Sequence, residues 1–333
     1  MTAEIKQKLR HFAFVDCAVR SAGHFYLMAT HVYALDEDSD DPDGEPAAPA
    51  DPETDLRAAI RVAVYFPQRP AQKQWALRTV RNIEFMQCAV ADTPAAQLIG
   101  VSLDGQVYAL GNGVSEFEPR IAEDRHGPLR GSVRQVLAID GLVYAVQGNR
   151  GLCRRSGPGR WESLCADLPV SGSWKQRDSL GFTCAAATSA STIYCAGGDG
   201  DLWYFDGGRW TERRFPGDSA VTKLCCAAAD DVYVACQDGS IYRGSGDAWK
   251  QIGEGGTMRS CRSLVAYHGR VWGSSDYGLW TIDGDRVAKA GLPADLDVPA
   301  GLLSARDGIL LAAGSSGAAY FDGERWTGIL DFL

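Results

Sequence analysis

Residues 271–287 read VWGSSDYGLWTIDGDRV, in which three short runs rich in aromatic and β-branched residues are separated by two turn signals. Runs of this kind, divided by Asp-Gly and similar pairs at hairpin distance, are typical of antiparallel strands. The same phrase recurs along the chain. Its aromatic or apolar residue falls at Tyr194, Tyr233, Trp272 and Leu311, each 39 residues after the last. The chain is therefore built from repeats, and the repeat decides the fold.

Each repeat contains more than this one phrase. A second strand-like phrase, LWYF, SIYR, LWTI or AAYF, follows shortly after a glycine that keeps the same step of 39, at Gly200, Gly239, Gly278 and Gly317. A turn rich in Gly and Asp and a last short run complete the unit. Every unit thus holds four short runs, which predicts one four-stranded antiparallel sheet per repeat.

A single sheet of four strands cannot bury both of its faces, so such units stack, and radial stacking gives a β-propeller. The phrases CAAATSA and CCAAADD supply the small side chains that first strands need around a crowded axis. We predict an all-β, seven-bladed propeller in one domain, residues 1–333. Its blades fall at about residues 11–81, 83–121, 133–165, 180–214, 223–252, 261–290 and 301–331. Six blades are the alternative if residues 1–82 form another structure.

The phrase GRVWGSSDYGLWTIDGDRV resembles the repeat of bacterial two-component-regulator propellers, which belong to the wider YVTN and WD40-like superfamily. The resemblance covers residues 133–333, which lack the GH and WD dipeptides of true WD40 repeats. It implies a seven-bladed propeller. Because propellers host many unrelated functions, the function has to be argued from sites.

Composition limits the class of protein. The chain has 333 residues, of which 45% are hydrophobic and 23% charged, enough for a large buried core. No apolar run is long enough to span a bilayer and the first residues lack a secretory signal, so we expect a cytoplasmic protein that does not bind membranes. The ten cysteines form no CxxC pair. We interpret them as small core residues.

The sequence offers few groups for catalysis. Its five histidines form no HExxH or HxH pair, and there is no GxSxG elbow or phosphate-binding GxxxxGKS loop. We expect no enzyme activity, no cofactor and no bound metal. Two alternatives stay open: a hydrolase with its site in the central channel, and a small-ligand or glycan receptor in which Trp203, Trp272 and Trp280 stack on sugars.

Charge is concentrated in one segment, residues 36–55. It carries ten carboxylates and no Lys or Arg, and without these ten the formal charge would be +1 instead of −9. Four prolines and the absence of aromatics predict a mobile loop. The loop is a solubilising insertion, a docking segment for a basic partner, or a calcium site, although the EF-hand register is not met.

The predicted topology places two unusual segments on one face. Turns alternate between the ends of an up-and-down blade, so second-to-third turns and blade-to-blade connections share a face. The acidic loop is a connection of the first type, and residues 171–180, SGSWKQRDSL, are of the second. An aromatic anchor beside an acidic patch is common at protein interfaces. The predicted partner-binding residues are Trp174, Lys175, Arg177, Asp36, Glu37, Asp38, Asp40, Asp41, Asp43, Asp199, Asp238 and Asp276.

A basic stretch contrasts with this acidic loop. Eight arginines lie between residues 120 and 160, and only Tyr144 is an available aromatic, so a nucleic-acid surface is not favoured. We predict a solvated outer edge that discourages pairing between blade sheets. These arginines are Arg120, Arg125, Arg130, Arg134, Arg150, Arg154, Arg155 and Arg160.

The leading hypothesis is a bacterial, non-enzymatic propeller that binds another protein with a basic surface and is a monomer when free. An isolated acidic propeller of this kind suits an immunity protein that masks a toxin, or an assembly adaptor. The interface predicted for either role is the face that carries the acidic loop and Trp174.

Overall fold

The protein folds into seven four-stranded antiparallel sheets in the computed structural model, which describes residues 3–31, 59–83, 85–123, 127–170, 181–293, 296, 301–315 and 317–331. In every sheet the strands are paired in chain order. The prediction of seven blades is therefore confirmed, and the six-bladed alternative is wrong. A helix, α1 (Ala3–Leu9), precedes the first blade.

The strands are short and follow one another closely. Blades one to three are formed by β1 (Phe12–Ser21), β2 (His24–His31), β3 (Ala59–Tyr65), β4 (Trp75–Arg81), β5 (Met86–Ala91), β6 (Gln97–Ser102), β7 (Val107–Gly111), β8 (Val114–Glu118), β9 (Val133–Ile139), β10 (Leu142–Gln147), β11 (Gly151–Gly157) and β12 (Arg160–Ser163). Blades four and five are formed by β13 (Phe182–Ser189), β14 (Thr192–Gly197), β15 (Leu202–Phe205), β16 (Trp210–Arg213), β17 (Val221–Ala228), β18 (Asp231–Cys236), β19 (Ile241–Ser245) and β20 (Ala248–Gly253).

The last two blades complete the ring. They are formed by β21 (Ser263–Tyr267), β22 (Arg270–Ser275), β23 (Gly278–Asp283), β24 (Arg286–Lys289), β25 (Gly301–Arg306), β26 (Ile309–Gly314), β27 (Gly317–Phe321) and β28 (Trp326–Asp331). Two 3-10 helices, Ala71–Lys73 and Gly198–Gly200, lie in connections. The first strand of each blade contacts the first strand of the next, so these seven strands surround the axis.

The core lies between the blades. Each pair of neighbouring blades encloses its own hydrophobic cluster, including the pair formed by the last and first blades. In β14, Ile193 and Cys195 face the third blade, whereas Tyr194 and Ala196 face the fifth. Because successive side chains of a strand point to opposite faces, a blade packed on both sides needs apolar residues at successive positions.

The ring closes without a shared blade, since the first and last sheets each contain four consecutive strands. Cys17 Sγ contacts the Leu302 carbonyl oxygen at 3.4 Å, and Val19 N–H donates to Ser304 Oγ at 3.0 Å. Around these bonds, Leu9 of α1 and Leu311 are fully buried in the cluster between the first and last blades. Closure therefore depends on apolar packing and a few hydrogen bonds.

The ten cysteines are all free thiols, and nine of them are buried. Burial raises the pKa of Cys184 to about 11 and that of Cys261 to about 12. Thiols held protonated in this way are poor nucleophiles. The cysteines act as small core residues, as predicted.

Candidate functional site

The two ends of the central channel are built differently. First strands begin at one end, where the second-to-third connections and the blade-to-blade connections also lie; we call this end the mouth face. The opposite end carries the first-to-second and third-to-fourth connections, and we call it the narrow end. Residues 32–58 join β2 to β3 and residues 171–180 precede β13, so both connections are of the mouth-face type.

A wide cavity opens at the mouth face. It has a volume of about 820 Å³ and continues into a smaller cavity of about 290 Å³ along the first strands. The wide cavity is lined by apolar groups, by neutral polar groups, by three cations and by Asp276. The residues that matter below are Phe14, Phe85, Leu302, Arg134, Lys223 and Arg262. Such a concavity is a default binding site.

An ion pair lies at the narrow end. Arg306, at the end of β25, donates from Nη2 to both carboxylate oxygens of Asp92 at 2.7 and 2.8 Å. Asp92 follows the first strand of the second blade, so the pair joins two blades that are not neighbours in the ring. A ligand therefore has its wider entrance at the mouth face.

Three polar side chains of the first strands join each blade to the next. Asp16 accepts the Cys88 N–H at 2.7 Å, Gln87 accepts the Val136 N–H at 3.1 Å, and Gln135 accepts the Ala185 N–H at 2.7 Å. Each bond satisfies a backbone donor that has no partner strand on the channel side. These residues have a structural role around the axis of the first four blades.

Burial raises the pKa of Asp16 to about 6, although the N–H groups of Cys88 and Cys17 and the charge of Lys223 oppose the shift. A raised pKa means that the folded state holds the proton more tightly than the unfolded state. Protonation of the Asp16 carboxyl group therefore raises the free energy of unfolding as the pH falls through 6 toward 3.8. The gain is at most about 3 kcal/mol.

We expect Asp16→Asn to remove this dependence. The free energy of unfolding, measured by urea denaturation between pH 7.5 and pH 5, is compared for wild type and variant, because the other carboxylates cancel in the difference. Lowering the pH from 7.5 to 5 should raise the free energy of unfolding of the wild type relative to that of the variant. Parallel pH profiles would show that Asp16 does not titrate in this range.

Three exposed apolar side chains lie on the mouth face, in connections of different blades. Leu103 is 47% exposed in the connection between β6 and β7, and Tyr277 is 63% exposed in the connection between β22 and β23. Val170, next to residues 171–180, is also exposed. Phe117, in the outer strand β8, is an exposed large hydrophobic residue that lies elsewhere. Three of the four exposed large hydrophobic residues of the described chain therefore share one face, which makes the mouth face the candidate interaction surface.

The predicted partner-binding residues divide into two groups. Trp174, Lys175 and Arg177, together with Asp36, Glu37, Asp38, Asp40, Asp41 and Asp43, lie outside the described residues. Asp199, Asp238 and Asp276 lie in second-to-third connections of three successive blades, on the mouth face. Their part in partner binding stays a prediction.

Local partners restrain two of these aspartates. Asp276 Oδ1 accepts from Arg262 Nε at 2.8 Å, and this bond lowers the pKa of the carboxyl group. Asp238 Oδ1 accepts from the N–H and Oγ of Ser240 at 3.0 and 2.7 Å. Burial acts to raise the pKa of Asp238, but these hydrogen bonds hold it below its usual value. Both side chains are ionised and shape their turns.

Sequence analysis missed the residues that the fold brings to the mouth. Lys223 and Arg134 line the wide cavity, and within the described residues neither side chain has an ion pair or hydrogen bond. Lys223 lies opposite Ala235 in β18, as Cys184 lies opposite Ala196 in the preceding blade. The sequence did contain a signal for Lys223. It has a lysine in VTKLCCAAA at the position where the previous repeat, FTCAAAT, has a cysteine.

The tryptophans of the glycan hypothesis are not on the surface. Trp203 and Trp272 are buried in the clusters between blades. Trp280 is half-buried and donates to Ser275 Oγ at 3.0 Å. Aromatic rings that stack on sugars have to present a face to solvent, so the structure does not support sugar binding by these three residues.

The prediction of a solvated arginine edge is wrong for Arg155. This side chain is 1% exposed and forms a buried ion pair with Glu118 of the second blade, with an N···O distance of 2.5 Å. Arg130 is half-buried and donates to the Leu168 carbonyl oxygen at 2.9 Å. Arg150 pairs with Asp201 across the interface between the third and fourth blades. Two of these arginines, Arg150 and Arg155, therefore join blades.

Comparison with known proteins decides the family. No protein-family model matches the chain. Over 248 residues it is 30% identical to the immune protein Tsi7 of Pseudomonas aeruginosa, and the match covers 74% of this chain and 80% of the relative. The chain belongs to the Tsi7 family. The predicted immunity class is thereby confirmed at the level of the family.

Solved structures show the same fold as this member of the Tsi7 family. The WD40 propeller domain of Doa1 superposes with a TM-score of 0.61 at 11% identity, covering 93% of this chain and 92% of that one. YCF48 from Cyanidioschyzon merolae gives 0.57 at 12% identity over 92% and 94%. YCF48 bound to D1 peptide gives 0.50 at 13% identity over 70% and 77%. At these identities the likeness shows the fold alone.

Two further observations concern the described residues of this Tsi7 family member. They include no helix long and apolar enough to cross a membrane. They also include no group of three or more His, Cys, Asp or Glu side chains placed to hold a metal ion.

Proposed function

We propose that this member of the Tsi7 family is an immunity protein that binds a toxin protein on the mouth face and masks it, without catalysing a reaction. The observation that carries the proposal is the exposure of Leu103 and Tyr277 on the mouth face, the end of the ring at which the wide cavity opens. Kinship with the immune protein Tsi7 supports it. A propeller of similar fold holds a peptide in the YCF48 complex.

The chemistry of the partner follows from charge. The ten carboxylates of residues 36–55 would favour a toxin with a basic surface, because opposite charges raise the association rate. We further propose that the chain works in the cytoplasm, where a toxin would reach its target, and that it is a monomer until it binds. Masking needs no catalytic group.

Co-expression tests the function. A protein recovered with the tagged chain from native lysate, and identified by mass spectrometry, is expressed alone and then together with the chain. A toxin should arrest growth alone and lose this effect in co-expression. A partner that is harmless alone would contradict immunity and favour the adaptor role.

The mouth face is tested with two truncations. Leu103→Ala and Tyr277→Ala should each weaken binding of the recovered partner about tenfold or more, because apolar side chains buried at the centre of an interface carry most of the binding energy. Phe117→Ala removes an exposed aromatic from the outer strand and is the matched control. Calorimetric titration measures all three. Loss of affinity in Phe117→Ala alone would move the interface to the outer edge.

A further inference from the structure

The first strands place one lysine in the channel, Lys223 of β17, where the preceding blade has Cys184. Lys223 lines both the wide cavity and the smaller cavity that continues from it. It lies near enough to Asp16, across the channel, to lower the pKa of that carboxyl group. Both Asp16 oxygens already accept backbone N–H groups, from Cys17 at 2.8 Å and from Cys88 at 2.7 Å. Asp16 is thus engaged with the backbone.

The remaining charges at the mouth form no ion pair with Lys223 within the described residues. Arg262 is paired with Asp276. Arg134 adds a second cation to the wall, and its side chain has no ion pair within the described residues. Lys223 is half-buried and lines the cavity together with apolar Phe85 and Leu302, but within the described residues its ammonium group has no hydrogen-bonded anion. An arriving carboxylate would supply that partner.

We propose that the wide cavity receives an acidic loop of the partner protein, with an Asp or Glu carboxylate bound by Lys223. The inference rests on the proposed function and assigns the chemistry of the segment that enters the channel. The cavity, at about 820 Å³, accommodates several side chains, and its apolar wall suits the residues that flank the carboxylate. The partner thus has an acidic loop in addition to the basic surface that faces residues 36–55.

Lys223→Met tests the anchor, because methionine keeps the length of the side chain and removes its charge. Affinity for the recovered partner should fall at least tenfold, and Lys223→Glu should lower it further by repulsion. Lys73→Met is the matched control, since Lys73 is exposed in the connection between β3 and β4 at the narrow end. It should bind within twofold of wild type. Thermal denaturation checks that all variants fold.

Cross-linking of the wild-type complex identifies the occupant. A water-soluble carbodiimide joins an amine to a carboxylate in direct contact, so it should link Lys223 to an Asp or Glu of the partner. Full affinity of both Lys223 variants would overturn the inference, and so would a link from Lys223 to residues 36–55 of this chain. Failure of the proposed function is a separate result, because it appears as the absence of any wild-type complex that neutralises a toxin.

Discussion

Glu118→Ala is expected to lower the free energy of unfolding by about 3–5 kcal/mol, because it leaves the Arg155 guanidinium buried without a counter-charge. In the native protein Glu118 accepts from Arg155 Nε at 3.0 Å, from Arg155 Nη2 at 2.5 Å and from the Gly159 N–H at 3.1 Å. Both side chains are almost fully buried, at 1% and 5% exposed. Urea denaturation monitored by tryptophan fluorescence measures the loss.

A neighbouring ion pair provides the control. Arg154, next to Arg155 in β11, pairs with Glu162 at 2.7 Å, but the two side chains are 33% and 51% exposed. Glu162→Ala should therefore cost at most about 1 kcal/mol. The double variant Glu118→Leu with Arg155→Met should recover most of the loss, because apolar groups of similar volume need no counter-charge. Equal effects of the two alanine variants would show that the Glu118 pair is solvated.

Leu311→Ala is expected to cost about 2–5 kcal/mol, since it opens a cavity in the cluster between the last and first blades. Leu311 is fully buried there, in the same cluster as Leu9, Phe25 and Ile329. No strand is exchanged between these blades, so packing carries most of the closure. The free energy of unfolding gives the size of the effect.

Amide hydrogen exchange shows which strands Leu311→Ala destabilises. Protection should fall most in β1, β2, β25 and β26, and least in β13 and β14 of the fourth blade, opposite the closure, because opening begins at the weakened closure. Leu103→Ala is the control for loss of the same side chain at an exposed position, and it should change stability by less than about 0.5 kcal/mol. A uniform loss of protection around the ring would mean that closure is not the weakest contact.

Residues of the mouth face and residues between blades should affect different properties of the protein. Exposed Leu103 and Tyr277 contribute little to folding, and Lys223 makes no bond that holds the blades together in the described part of the chain. Substitutions there should change binding and leave the ring intact. Glu118 and Leu311 should show the opposite behaviour, because they lie between blades and away from the cavity.

Most of the fold was predictable because the signals are local. The step of 39 residues, the Asp-Gly turns and the aromatic runs each depend on neighbours within a few positions. The order of strands in each sheet and the face to which each connection belongs follow from the same pattern. The sites were less predictable: Arg155 reads as one more arginine of a basic stretch, and its partner Glu118 lies 37 residues earlier, in another blade.

The sequence by itself determined that seven similar sheets stack into a ring, because a sheet with apolar residues at successive positions must be covered on both faces. Only the tertiary structure decided that Lys223 enters the channel without a partner within the described residues, and that Arg155 is buried between blades. Those outcomes depend on which side chains of neighbouring blades meet across the interface. Packing between repeats that are distant in sequence sets that geometry. The alternation of residues within a single strand cannot predict it.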